Sequence, residues 1–218
     1  MNRALIFKEL RAHAPFTALG AGAGIALLLA MFGAGIPTRS AVPLFAVLHP
    51  LHVLLSAQAT TATCRRQCGG GSWRLLWVGY LGSVGIATVS DCLIPYVGEW
   101  LLDLPNRGLH VGFIEHGWLV NPLALAGIAL GAWSAKTRVP HGLHVLVSTS
   151  ASLFHIAMAL GGMPSWPTLA AIALFLFLAV WLPCCTSDIV FPLLFAPRPT
   201  VRGAPPETKT HHACEEWK

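Results

Sequence analysis

Six apolar stretches govern what this chain can fold into. They run near 14–36, 41–63, 75–102, 118–135, 139–161 and 168–195, each close to or beyond the roughly 20 residues that carry a helix across a bilayer. Little is left over for a water-soluble shell: of 218 residues 55% are hydrophobic and 11% charged, and the mean hydropathy is +0.64. A globule of this size cannot bury so much apolar side chain, so the chain is expected to be an all-α polytopic membrane protein with six transmembrane helices. The third and sixth stretches are too long for an upright crossing and carry Pro95, and Pro183 with Pro192. Each therefore predicts a long, proline-broken helix. The opening Met-Asn-Arg before an apolar run has the outline of a secretory signal, but this stretch has a counterpart later in the chain and reads as the first span.

Lysine and arginine orient the spans, because cytoplasmic loops are enriched in them. With the N-terminus inside, the cytoplasmic side holds Arg3, Lys8, Arg11, Arg65, Arg66, Arg74, Lys136, Arg138, Arg198, Arg202, Lys209 and Lys218, and the outside only Arg39 and Arg107. Both ends then lie in the cytoplasm and the protein is integral to the plasma (inner) membrane. The net charge of +5 is spread singly and in pairs beside apolar runs. It forms no nucleic-acid patch.

A stretch that occurs twice divides the chain. His49-Pro-Leu-His52-Val-Leu-Leu-Ser56-Ala-Gln-Ala returns as His141-Gly-Leu-His144-Val-Leu-Val-Ser148-Thr-Ser-Ala. The likeness extends further: Pro15, Gly20 and Gly24 match Pro122, Gly127 and Gly131, and Ser90-Asp91 before Pro95 matches Ser187-Asp188 before Pro192. Three spans per repeat is an odd number, so the second repeat is inserted the other way up. The expected organisation is a first three-helix repeat over 1–104, an outer loop over 105–117, an inverted second repeat over 118–197 and a disordered cytoplasmic tail over 198–218. The paired glycines, four residues apart, predict close helix packing, since lipid supplies no hydrophobic drive between helices.

The polar residues of the motif carry the chemistry. Two His and a Ser at i, i+3 and i+7 share one helix face, and imidazoles inside a membrane need a reason. Asp91 and Asp188 are the carboxylates expected well inside spans, where each must be neutralised by a proton, a cation or a partner. His and Asp together form a ligand set that zinc, manganese, iron or cobalt accepts. His49, His52 and Asp91 are expected to make one half-site and His141, His144 and Asp188 the other, supported by Ser56, Ser148, Ser90 and Ser187. His155 faces Thr63 in the repeat register and is an asymmetric extra. The bland alternative for each is polar packing between helices. Imidazoles titrate near neutral pH and are suited to couple ion release to protons.

The cysteines give no extracellular disulfide framework. Cys184 and Cys185 read as small buried residues, and Cys64-x3-Cys68 as a weak metal-handling site in a cytoplasmic loop. No nucleotide-binding loop or nucleophile elbow occurs, so active transport would draw on an ion gradient or a separate subunit. These features predict a small permease for a divalent metal or other small cation, embedded in the lipid bilayer and suited to forming a homodimer. Two rivals stand: an intramembrane metal-dependent hydrolase, and a b-type haem electron-transfer subunit with axial imidazoles from the second and fifth spans.

Overall fold

A computed structural model describes residues 3–68, 71–134, 138–186 and 191–195. Among them the fold is all-helical: α1 (Arg3–Gly33), α2 (Ala41–Cys68), α3 (Ser72–Leu101), α4 (Gly117–Trp133), α5 (Arg138–Ala159) and α6 (Trp166–Cys185), with short helical turns at Thr38–Ser40, Gly112–Glu115 and Phe191–Leu194. Among the described residues, each apolar stretch of the sequence is thus mostly helical. Four segments, Ala14–Gly33, Thr38–Cys68, Ser72–Leu101 and Trp166–Cys184, are long and apolar enough to cross a membrane; α4 and the apolar part of α5, Leu143–Ala159, are shorter. The outer surface fits a bilayer. Trp73 and Trp77 at the start of α3 and Trp133 at the end of α4 are exposed at one end of that helix pair, and Trp100 and Trp118 at the other, as interfacial tryptophans are.

Proline does not break the third helix. The backbone stays helical from Ser72 to Leu101 and widens into two π turns, Leu81–Gly85 and Val89–Leu93. The second ends just before Pro95, whose ring would collide with the carbonyl of Asp91 four residues back in a regular helix. One extra residue in the turn relieves that clash and leaves Ser90 and Asp91 in the widened segment. Pro183 is likewise accommodated inside α6. Ser187, Asp188, Cys185's side chain and the tail expected over 198–218 lie outside the described residues, as does the side chain of His141.

Helix α2 is the hub of the bundle. It packs along α4 and α5, while α1 packs along α6 and α5, and α3 lies against α2, α4, α5 and α6. Small residues permit these approaches. Gly20 of α1 faces Thr149 of α5 and Gly24 faces Leu153; Gly127 of α4 faces Ala57 of α2 and Gly131 faces Thr61. In the registers that pair His49 with His141 and Gly20 with Gly127, these contacts correspond one to one. A Cβ on Gly127 would collide with the Leu54 carbonyl oxygen and stand 2.8 Å from the Ala57 Cβ. Gly127→Ala is therefore expected to cost about 2–3 kcal/mol through overpacking, read as a lowered thermal midpoint in detergent. Gly22→Ala, with nothing within 4 Å of its Cβ, should leave the midpoint in place or raise it slightly.

Candidate metal centre

Three helices, α2, α3 and α5, meet at Asp91, which is fully buried. From α2, His49 and His52 reach one carboxylate oxygen: their Nδ1 atoms lie 2.9 and 2.6 Å from Oδ2. On the other oxygen, Ser90 Oγ donates at 2.6 Å and Ser148 Oγ, from α5, at 3.1 Å. The i, i+3 spacing of the two imidazoles places both over the π turn, and the widened turn turns Asp91 toward α2. With four donors on two oxygens Asp91 has the surroundings of an ionised carboxylate. A single negative charge in this dry interior calls for a compensating positive charge.

The second half of the chain completes the cluster. The His144 ring stacks on that of His52, with centroids 4.6 Å apart and planes 29° apart. Cys184 of α6 lies next to both, its Sγ 3.7 Å from Ser148 Oγ. One ring nitrogen of His52, one of His144 and the Cys184 sulfur lie within 4.8 Å of one another, and all three residues are buried. This trio could hold a metal ion. Tetrahedral coordination at about 2.0–2.3 Å separates donors by roughly 3.5 Å, so small rotations about the side-chain bonds would close the set. Asp91 holds Nδ1 of His52 and thereby leaves Nε2 to coordinate, the orienting arrangement common behind metal-bound imidazoles.

The grouping differs from the one expected of the sequence. Asp91 bonds His52 but is not one of that trio, and His52 of the first half meets His144 of the second; Asp188 and the His141 side chain, expected in the second half-site, lie outside the described residues. Cys184, read as filler, supplies a soft donor. His49 stays beside the trio, stacked on Phe45 and pressed against Gly112, and its Nε2 has no hydrogen-bond partner. Ser56 is buried and engaged within the bundle. Ser152, overlooked in the sequence, donates to the Ser90 carbonyl at 3.0 Å and ties α5 to the π turn. Cys64 and Cys68 are on α2 and not in a loop; both are buried, packed with Leu75 and Val78, and the Cys68 thiol donates to the Pro192 carbonyl at 3.0 Å.

Asp91 is not the only carboxylate buried among the described residues. Glu99, eight residues later on α3, is 1% exposed and bonds Nδ1 of His155 at 2.7 Å. His155 thus lies on the same stripe of α5 as His144, Ser148 and Ser152, and its partner is an acid two residues from the end of α3. The available signal was the stripe itself, at spacings of 4, 4 and 3 residues. Compared with known protein families, characterised proteins and solved structures, the chain matches none.

Proposed function

We propose that this protein is a small membrane permease for a divalent transition-metal ion, built from two inverted three-helix halves with the ion bound between them. The observation that carries the reading is the stacking of His52 on His144. These residues are equivalents in the duplicated motif, and a residue in contact with its own equivalent lies on the pseudo-two-fold axis. The glycine contacts of α1 with α5 and of α4 with α2, matched position by position, support the same axis, as does the exchange of helix pairs α1·α6 with α4·α3 and α2·α3 with α5·α6. An ion at this point is reached equally through either half, the requirement of alternating access.

Charge favours a divalent ion. Asp91 and a deprotonated Cys184 together carry two negative charges, which one divalent cation neutralises, and two imidazoles with one thiolate suit zinc or cobalt. Cys184 has Ala87 at its matching position, so only one half offers sulfur. Both Asp91 oxygens are already saturated by donors, so Asp91 is not free to act as the base that a metal-dependent hydrolase would need for its water. Face-to-face imidazoles do not suit haem either, whose axial ligands point their nitrogens at one iron from opposite sides.

The test is elemental analysis and a visible spectrum of detergent-purified protein, followed by titration with zinc and cobalt. The expected result is about one metal per chain with no Soret band. Binding should release roughly two protons, one from the thiol and one from the imidazole that balances Asp91 in the empty centre. Cobalt should give a sulfur-to-metal charge-transfer band, and protein in liposomes should carry zinc. Protein that stays metal-free after reloading would overturn the reading.

A further inference from the structure

The metal centre leaves one buried ionisable pair unused. Glu99 and His155 are 1% and 0% exposed, joined at 2.7 Å through His155 Nδ1. The other Glu99 oxygen accepts the backbone N–H of Gly108 at 3.3 Å. His155 Nε2 is buried without a hydrogen-bond partner. The ring of His110 meets the His155 ring edge to face, centroids 5.7 Å apart. His110 bonds Glu115 at 3.2 Å, and both are 40% exposed. On the inner side Phe45 lies between the two sites, its ring 5.4 Å from that of His155 and 5.4 Å from that of His49. An ionisable track therefore runs from the loop surface, through Glu115 and His110, to Glu99 and His155, and stops one aromatic ring short of the His49 and Asp91 network.

We propose that Glu99 and His155 form a proton-binding station, loaded from the surface through His110 and Glu115 and separated from the metal centre by Phe45. A metal ion is the poorer occupant: the described residues offer no third His, Cys, Asp or Glu ligand within coordinating reach of this pair. The step is a proton transfer alone. Bulk water delivers a proton by way of His110 to Nε2 of His155; the neutral ring becomes an imidazolium, its Nδ1 proton stays shared with Glu99 Oε1, and no electrons change hands. The pair then passes from one negative charge to none, which the apolar surroundings favour. The groups facing it are His110 and the Gly108 N–H from the loop, His49 beyond Phe45 on α2, the exposed Arg39 on the turn packed against α5, and the loop ion pair of Arg107 and Asp103 at 2.9 Å. Helix α6 contributes no Asp, Glu, Lys or Arg.

The station serves the permease reading, since protons released on metal binding need a route to water, but its proton binding stands by itself and is measured on metal-free protein. Time-resolved infrared spectroscopy after a pH jump between about pH 5 and pH 9, which spans imidazole titration, follows the carboxyl bands. A band assigned to Glu99 by its loss in Glu99→Gln should respond to the jump, and His110→Phe, at a half-exposed position, should slow that response at least about tenfold while the protein stays folded. A Glu99 band indifferent to pH, or an unchanged rate in His110→Phe, overturns the proposal. Zinc titration separates it from the metal reading. Glu99→Gln should bind zinc within about twofold of wild type; loss of zinc equal to that in Asp91→Asn would make the pair part of the metal centre and overturn a separate station. Wild-type protein that binds no zinc but retains the His110-dependent response would remove the permease reading and leave the station standing.

Discussion

Asp91→Asn is expected to abolish zinc transport in liposomes and to lower zinc affinity by about 100- to 1000-fold. The substitution keeps shape and volume but removes the charge and replaces one acceptor oxygen by an N–H₂ donor. Four donors, from His49, His52, Ser90 and Ser148, converge on the carboxylate, and an amide can accept from only one of its two atoms. An amide with its oxygen toward His49 and His52 turns its N–H₂ toward Ser90 and Ser148, whose hydroxyls must reorient to accept, and it removes the charge that holds the Nδ1–H tautomers that present Nε2 to the metal. Loss of an orienting carboxylate costs typically 10–100-fold in metal affinity; the missing negative charge, buried and otherwise uncompensated by the ion, raises the penalty further. Folding should survive, because a neutral amide is cheaper to bury than a carboxylate. Competition titration with a chromophoric chelator gives the affinity, and size-exclusion elution gives the fold. Wild-type zinc affinity in a folded Asp91→Asn protein would reduce Asp91 to a packing residue.

Cys184→Ala is expected to lower metal affinity by about 1000-fold and to remove the cobalt–thiolate band, with His144→Ala close behind. Each takes one of three donors from the trio, and loss of a ligand from a three-donor site at about 3–4 kcal/mol gives that magnitude. The cysteine variant is the cleaner probe, because the equivalent position in the first half is Ala87, fully buried and tolerated there. Cys92→Ala is the control: Cys92 is also fully buried but is not one of the ligand trio, so its loss should move neither affinity nor spectrum. Equal effects from both cysteines would point to general core disruption in place of ligation.

The His49 and His141 motifs were legible because helical periodicity alone puts i, i+3 and i+7 on one face; the partner of that face was not. That His52 meets His144, and that Asp91 receives donors from α2 and α5 at once, follows from how antiparallel helices cross, which local spacing does not contain. His52 lies well inside its stretch and His144 only a few residues beyond Arg138, yet the two rings stack. Glu99 is inconspicuous in the sequence, since it lies close to the end of its stretch and has no acidic counterpart in the second half. Only the burial of its segment under the Gly108 backbone and His155 reveals it. Pro95 announced a disturbance in α3, but whether a helix breaks or widens depends on the neighbours that hold its free carbonyls.

Hydropathy and the duplicated residues by themselves determined the helices, the apolar surface and the identity of the polar groups that had to be partnered, because the cost of leaving an apolar run in water or an imidazole in hydrocarbon is set by the side chain alone. Which polar groups partner which was decided by tertiary packing. The close approaches at Gly127 and Gly131 set the distance between α4 and α2, the π turn aimed Asp91, and α6 brought Cys184 to the two imidazoles; each depends on side chains distant in the chain, whose meeting is a property of the whole bundle.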